Sequence, residues 1–278
     1  MNLLKKNTIK FIFFLGQYTL LGRGKLRKFL ITLLNNFILN SIDKKTLDPR
    51  FQCSINSIPF NFYSDEKTGK KFYFGRNENE EINFVKSKIH NNFVFVDIGA
   101  NMGLYTMNVA NELNKYHNAK IVSIEPNLIN FKRLKQNLKI LLKKIPRIFH
   151  QVYLENCSIG NTNSSIRLYI GHDHAVSSHN NSFKNQEYVK IKQKKLITIV
   201  KKNKIKNITI VKIDIEGYED RALINYFKSV KKSLFPEHII IEHSNKKLWK
   251  EDVINNLVKI GYSKNWSNHN NIILSINK

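Results

Sequence analysis

The sequence has only two cysteines, Cys53 and Cys157, and they form no Cys-x-x-Cys pair. This scarcity argues against a disulfide-stapled scaffold and against a cysteine-based zinc site. Two cysteines so far apart in the chain also suit a reducing compartment, so we expect a cytoplasmic protein.

The sequence also lacks a long hydrophobic run. Lysines precede a short apolar cluster at 11–15, as they do in a signal peptide, but the polar residues 17–19 interrupt it. No small-x-small cleavage site follows, and the cluster is too short to span a bilayer. We therefore expect neither a secretion signal nor a transmembrane helix.

Acidic residues are scarce, with 21 Asp and Glu against 46 Lys and Arg, and the formal net charge is +25. Such a charge raises non-specific affinity for membranes and nucleic acid. Lysine is abundant together with asparagine, however, as AT-rich coding alone would produce. Codon drift and a useful basic surface are therefore both open explanations of the charge.

Residues 1–50 differ from the rest of the chain, because they are rich in Lys and Arg and have helical spacing of apolar residues at 29–39. We predict a basic, amphipathic helical extension over 1–50 and a single α/β domain over 51–278. The extension can lie on an anionic membrane surface, or pack on the domain or on a second subunit.

Short strands and helices alternate along the remainder. Buried strands are predicted at 93–96, 120–124, 148–154, 208–213 and 238–242, with further strands at 70–74, 166–170, 264–266 and 271–276. Helices are predicted at 77–88, 103–113, 125–141, 219–230 and 247–259. The polar segment 172–206 is interpreted as mostly exposed loop and hairpin. This order predicts a Rossmann-like α/β fold, with a mostly parallel sheet and an antiparallel C-terminal edge.

The clearest functional signal is the stretch from Asp97 to Gly103, where a predicted strand ends and a helix begins. Gly99 and Gly103 allow a sharp backbone turn and the close approach of a ligand. Open α/β sheets bind ligands in the crevice at the carboxyl ends of their strands. The sequence therefore predicts a ligand-binding turn here.

Glu125 ends the next predicted strand, where a carboxylate can accept hydrogen bonds from both ribose hydroxyls. The turn and Glu125 together fit either NAD or S-adenosylmethionine (SAM). A dinucleotide loop needs glycine where this chain has Asn101, so that the backbone can meet the pyrophosphate. SAM has no phosphate, and Asp97 can hold its amino acid end, so the sequence favours SAM.

A second acidic motif follows the strand predicted at 208–213. It contains Asp214, Glu216 and Glu219, and repulsion among these carboxylates would raise one pKa, as a general base requires. We predict that Asp214 and Glu216 belong to a catalytic site, with Asp214 as the first candidate base. Glu219 is assigned to capping of the next helix.

Glu242 and His243 end the neighbouring predicted strand, where both can face the same cleft. His243 is the second candidate base, with a non-catalytic histidine as an equal alternative. The histidines at His172, His174 and His179 have weak metal-ligand spacing in a polar loop, so no metal site is predicted.

These motifs together resemble the FkbM-type methyltransferases. The resemblance covers about 80–276 and is carried by the stretches 95–106, 123–127, 211–219, 240–243 and 261–262. An Asp-Ile-Gly-Ala-Asn loop combined with a Lys-Ile-Asp-Ile-Glu-Gly strand end is far more specific than a glycine loop alone. The resemblance implies a class I, SAM-dependent fold and usually O-methylation of a sugar or another small hydroxyl compound.

The resemblance also implies site residues by position. Asp97, Gly99, Asn101 and Gly103 would line the methionine end of SAM. Glu81 resembles an upstream glutamate of the family that faces the site.

The nucleoside end of SAM is implied in the same way. Glu125 would bind the ribose, and Pro126 and Asn127 would shape the adenine side. The stretch 155–160 resembles an element near adenine, although Cys157 stands where the family usually has alanine.

The expected activity is therefore SAM-dependent methylation of a hydroxyl on a small-molecule or glycan acceptor. One alternative is an RNA methyltransferase, suggested by the basic charge although the sequence has no recognisable RNA-binding module. Another is a non-catalytic membrane-surface protein on the same fold. Nucleic acid is not an expected partner, contact with a membrane through 1–50 is left open, and the sequence does not give the oligomeric state.

Overall fold

A computed structural model of the chain describes residues 50–63, 78–170, 177–178 and 188–277. The predicted extension before residue 50 and the predicted strand at 70–74 lie outside these residues. The chain divides into two compact units, Met1–Ile55 with Phe60–Asn77 and Asn56–Pro59 with Glu78–Lys278. The division predicted at residue 50 stays a prediction.

The strands and helices are numbered here in chain order. The strands are β1 (Arg50–Ile55), β2 (Ile58–Tyr63), β3 (Val94–Ile98), β4 (Lys120–Ile124), β5 (Val152–Glu155), β6 (Ser158–Ile159), β7 (Ser164–Ile170), β8 (Ser177–Ser178), β9 (Tyr188–Lys194), β10 (Ile210–Ile213), β11 (His238–Glu242), β12 (Ser263–Ser267) and β13 (Asn271–Ser275). The α-helices are α1 (Asn79–Ser87), α2 (Leu104–Glu112), α3 (Leu128–Lys144), α4 (Leu196–Lys202), α5 (Glu219–Ser229) and α6 (Val253–Lys259). Strands β1 and β2 form a separate two-stranded sheet.

The central sheet has seven strands in the order β12-β13-β11-β10-β3-β4-β5. Strands β11, β10, β3, β4 and β5 run parallel, whereas β13 pairs antiparallel with both β11 and β12. After β3 the chain adds β4 and β5 on one side of it, and then β10 and β11 on the other side. The junction between β3 and β10 is therefore the switch point of a doubly wound sheet. The predicted α/β class, with its antiparallel C-terminal edge, is confirmed.

Alternating side chains divide the sheet into two faces. One face is apolar, and its residues belong to a hydrophobic cluster with residues of α4, α5 and α6, among them Val96, Ile98, Val211, Ile213, Leu223 and Leu257. The intervening side chains, including those of Asp97 and Lys212, point to the opposite face, where Thr106 and Tyr105 of α2 contact them. The strand alternation therefore sets the polar residues apart from the main core.

A second sheet has the order β6-β9-β7-β8, and its strands β8 and β9 come from the segment 172–206 that was interpreted as mostly exposed loop and hairpin. Strand β7 pairs antiparallel with β9 along its length. Helix α4 follows, and its Leu196, Ile199 and Val200 are buried. The predicted hairpin fits β9, but the loop interpretation was wrong for α4. The buried apolar residues of α4 are flanked by lysines at 194–195 and 201–202, which make the segment look polar in the sequence.

Two further boundaries needed correction. The strand predicted at 148–154 is confined to β5, because Pro146 begins a 3-10 helix that runs to His150. The helix predicted at 247–259 begins only at Val253, where the Asp252 side chain accepts a hydrogen bond from the Asn255 N–H (3.0 Å). Within the described part of the chain, no helix is both long and apolar enough to cross a membrane.

The packing of α4 can be tested by truncating its buried face. Ile199→Ala should lower the free energy of unfolding by about 2–5 kcal/mol, because it leaves a cavity in a fully buried site. Lys201→Ala on the exposed side of the same helix should change it by less than about 0.5 kcal/mol. Urea unfolding of both variants measures this, and equal effects would contradict the packed position of α4.

Candidate functional site

A polar row crosses the sheet at the carboxyl ends of its central strands. In the parallel ladders, Asp97 of β3 pairs in register with Lys212 of β10 and with Ser123 of β4. Paired residues in a ladder point to the same face, so these side chains converge beneath the start of α2. The row lies at the switch point, where open α/β sheets bind ligands.

The ammonium of Lys212 is the centre of this row and is buried. It lies 3.5 Å from Asp214 Oδ2 and 3.9 Å from Asp97 Oδ1, and it donates a hydrogen bond to the Gly99 carbonyl oxygen (3.1 Å). Burial by itself would lower the pKa of Lys212, but the carboxylates of Asp214, Asp97 and Glu78 outweigh it and raise the pKa. Lys212 therefore stays charged and holds the ends of β3 and β10 together.

Asp97 is fully buried, and only one of its oxygens is fully used. Oδ2 accepts a hydrogen bond from the Thr106 hydroxyl (2.7 Å). Oδ1 has no hydrogen-bond partner among the described residues and has only the ammonium of Lys212 at 3.9 Å. Burial raises the pKa of this carboxyl, although Lys212 and Thr106 oppose the shift. An unpartnered oxygen in a buried carboxyl is costly, so this atom is suited to receive a donor from a ligand.

Glu78 and Tyr105 complete the surroundings of Lys212, and the sequence analysis missed both. The Tyr105 hydroxyl donates to Glu78 Oε2 (2.5 Å), and the Lys212 ammonium lies over the Tyr105 ring. Burial raises the pKa of Glu78, with Lys212 opposing it. Glu78 stands outside the motifs, and Tyr105 belongs to the stretch 95–106 but had no role assigned, because both act through contacts that only the packing of α1 and α2 creates.

The turn from 99 to 103 depends on its glycines. Gly99 has φ +78°, and a methyl group added there would overlap the Asp214 carbonyl oxygen. Gly103 has φ +98°, and its added methyl would lie 2.5 Å from Leu134 of α3. The predicted tight turn is therefore also a close contact between the end of β3 and the end of β10.

Glu125 bridges the loops that follow β3 and β4. Its two oxygens accept hydrogen bonds from the backbone N–H groups of Asn101 and Asn127, both at 2.8 Å. Burial raises the pKa of Glu125 to about 7, against the effect of these two hydrogen bonds. Each oxygen retains a lone pair, so the carboxylate can still accept hydrogen bonds from a ligand.

The residues on the far side of Glu125 are positioned by the start of α3 and by β5. Asn127 caps α3, because its side chain accepts a hydrogen bond from the Ile129 N–H (2.9 Å). The Asn156 amide donates to the carbonyl oxygens of Glu125 (2.8 Å) and Pro126 (3.1 Å). These bonds fix the loop containing Pro126 and Asn127 beside the β5 end.

Cys157 lies on the other face of the sheet from Asp97 and Lys212, although the resemblance implied a place near adenine. Its thiol is buried in the hydrophobic cluster that contains Ile159 and Leu196, on the apolar face of the sheet. Burial raises the pKa of the thiol to about 11, so it is un-ionised at neutral pH. A role for Cys157 beside a cofactor stays a prediction.

The acidic motif after β10 forms a strained loop. Asp214 is partly exposed, and its backbone N–H donates to the Ile98 carbonyl oxygen (3.0 Å). Glu216 has φ +58°, and its Oε2 accepts a hydrogen bond from the Asn245 amide (2.8 Å). Glu219 Oε1 accepts from the N–H groups of Ile215 and Gly217, and its Oε2 accepts from the Trp249 indole. Glu219 thus closes the loop before α5 with Oε1 and ties it to Trp249 with Oε2.

Glu242 and His243 follow at the end of β11. Glu242 extends the row past Asp214, because Ile241 pairs in register with Ile213. Burial, followed by the carboxylates of Asp214, Glu219 and Glu216, raises the pKa of Glu242 to about 8. His243 is half-buried, and its backbone N–H donates to the Asn270 carbonyl oxygen (2.7 Å).

Glu81 on α1 is buried and faces the turn between β12 and β13. Its Oε1 accepts hydrogen bonds from the amides of Asn268 (2.9 Å) and Asn271 (2.8 Å). Of the histidines considered for a metal, His172, His174 and His179 lie outside the described residues. Among the residues that are described, no three His, Cys, Asp or Glu side chains are grouped as metal ligands would be.

The sequence profile of the methyltransferase FkbM domain matches residues 97–273. The match covers more than half of the chain, so the chain belongs to the FkbM methyltransferase family, and its fold is the Rossmann-like class I methyltransferase fold. No protein of curated function matches the chain significantly in sequence.

Solved structures with a similar fold were also found. One is the methyltransferase FkbM of Methylobacillus flagellatus KT, with 16% identity, a TM-score of 0.46, and coverage of 75% of this chain and 54% of that one. This chain thus spans about half the length of that protein. Another is M. capricolum TrmK in complex with S-adenosylhomocysteine, with 14% identity, a TM-score of 0.38, and coverage of 71% and 68%.

The contact of Gly99 with Asp214 predicts a large effect of a small substitution. Gly99→Ala should cost about 1–2 kcal/mol for the left-handed backbone and about 1–3 kcal/mol more for the overlap with the Asp214 carbonyl. Gly261→Ala is the matched control, because Gly261 also has a positive φ but its nearest neighbour would lie at 3.5 Å. Urea unfolding compares the two, and an equal loss of stability would contradict the contact.

Proposed function

We propose that this protein is a SAM-dependent methyltransferase that methylates a hydroxyl of a sugar, a glycan or another small molecule. The observation that carries the proposal is the buried Asp97 oxygen without a hydrogen-bond partner among the described residues, at the switch point of the sheet. It lies beside the turn that begins at Gly99. A buried carboxylate of this kind fits the amino group of SAM's methionine end.

The remaining residues around the turn fit SAM as well. Glu125 retains lone pairs for two ribose hydroxyls, and its backbone partners hold it in place. Asn101 has a positive φ and occupies its own side chain with the Met102 N–H (2.7 Å), so it fills the space that a pyrophosphate would need. These features support SAM rather than a dinucleotide.

In the proposed reaction, SAM and the protein have different parts. SAM supplies a methyl group already activated by its positively charged sulfur. The protein has to position an acceptor oxygen in line with that methyl group and provide a base for the hydroxyl proton. Asp214, His243 and Glu216 are the bases proposed from the sequence, and Asp214 lies nearest to the Asp97–Lys212 pair.

If Asp97 binds the amino group of SAM, replacing one of its carboxylate oxygens by an amide nitrogen should weaken SAM binding. Asp97→Asn keeps the shape of the side chain but removes its charge, and breaking a buried ionic contact costs about 3–5 kcal/mol. The Kd for SAM in titration calorimetry should therefore rise about 100-fold or more. Asp252→Asn, which retains a capping side chain at α6, should leave the Kd unchanged. Tight SAM binding by Asp97→Asn would refute the cofactor assignment.

The acceptor class can be tested with SAM that carries a tritiated methyl group. The native protein should transfer label to a member of a panel of free sugars, methyl glycosides and oligosaccharides. Transfer to structured RNA, with none to the sugar panel, would refute the proposed acceptor class but not the use of SAM.

A further inference from the structure

One carboxyl oxygen at this edge of the sheet is shielded from water and has no assigned role. Glu242 Oε1 accepts a hydrogen bond from the Ser244 N–H (3.3 Å). Glu242 Oε2 is buried and has no hydrogen-bond partner among the residues that the structure describes. A native protein rarely leaves such an atom unpaired, so Oε2 is available to a ligand.

The neighbouring carboxylates are already engaged. Asp214 Oδ2 forms an ion pair with the Lys212 ammonium at 3.5 Å. Glu216 accepts a hydrogen bond from the Asn245 amide (2.8 Å). Glu219 uses both oxygens to close the loop before α5 and to bind Trp249. Among these carboxylates, only Glu242 has a buried oxygen with no hydrogen-bond partner in the described part of the chain.

The charges around Glu242 suit a proton acceptor at neutral pH. Burial contributes most to its raised pKa of about 8, and Asp214, Glu219 and Glu216 add to it. On the β13 side of Glu242, the residue paired with it is the neutral Asn271, whose amide donates a hydrogen bond to Glu81 of α1. A base is most effective when its pKa lies near the working pH.

We propose that Glu242 Oε2 binds the acceptor hydroxyl and takes up its proton during methyl transfer. The inference rests on the proposed function. The acceptor oxygen forms a bond to the methyl carbon while the carbon–sulfur bond breaks and its electron pair stays on sulfur. The hydroxyl proton passes to Glu242, which has to be ionised beforehand. Asp214, in turn, is a positioning residue, because its ion pair with Lys212 places a negative charge beside Glu242.

The test uses the positive charge of SAM, which its product S-adenosylhomocysteine lacks. If Glu242 lies within reach of the acceptor oxygen, the sulfonium charge should favour its ionised form and release its proton. At pH 7.5, titration calorimetry in phosphate and in Tris should show more protons released by SAM than by S-adenosylhomocysteine. The sulfonium also acts on Asp97 and Glu125, so the contribution of Glu242 is the part of this difference that a Glu242 variant loses.

Glu242→Gln should still bind SAM, somewhat more weakly because the coupling between the sulfonium and the carboxylate is reciprocal, and the difference in proton release should become smaller. On a sugar that the native enzyme methylates, it should lower kcat by about 100-fold to 10⁴-fold. Asp214→Asn should reduce the difference in proton release, because loss of a neighbouring charge lowers the pKa of Glu242. Glu80→Gln, an exposed change of the same kind on α1, should behave as the native protein does.

The outcomes separate the two proposals. If the native protein fails to bind SAM, the proposed function itself is wrong. If the native protein binds SAM but Glu242→Gln keeps the full difference in proton release, or keeps native turnover, the assignment to Glu242 is overturned alone.

Discussion

A lysine ammonium removed from water needs other oxygens to replace its hydration, and the charge is tolerated only when those oxygens are held in place. Lys212 has this arrangement at the centre of the sheet, with Asp97 on the neighbouring strand, Asp214 just after its own strand and the Gly99 carbonyl oxygen in the turn. Its partners come from different chain segments. The geometry of the site therefore depends on the pairing of β3 with β10.

That pairing has consequences on both sides. Toward the proposed cofactor site, it leaves one Asp97 oxygen without a hydrogen bond from the described residues, and it packs Gly99 against the Asp214 backbone. Toward the proposed acceptor site, it engages Asp214, whereas Glu242, one strand further along, has a raised pKa and a buried oxygen with no partner among the described residues. A single buried cation thus separates a region suited to binding an amine from a region suited to accepting a proton.

Three features of the site are recognisable in the sequence because they follow apolar runs at strand ends. They are the turn from Asp97 to Gly103, the carboxylate Glu125, and the acidic motif that begins at Asp214. Topology alone brings such positions to one edge of a parallel sheet. Glu78 is not recognisable in this way, although it accepts a hydrogen bond from Tyr105 beside Lys212. Glu78 stands at the start of the helix predicted at 77–88, close to Glu80 and Glu81, so nothing local distinguishes it from a surface glutamate.

The sequence by itself determined the α/β alternation, the glycine turn and the polarity of each strand end, because these depend on local hydrophobic pattern and on backbone freedom. Only the tertiary structure decided that 196–202 forms a packed helix, since its few apolar residues are flanked by lysines in the sequence. The proton affinity of the site carboxyls was likewise decided only by the tertiary structure, because the pKa of Glu242 depends on burial and on carboxylates from other segments. Proton affinity belongs to the assembled site rather than to a motif.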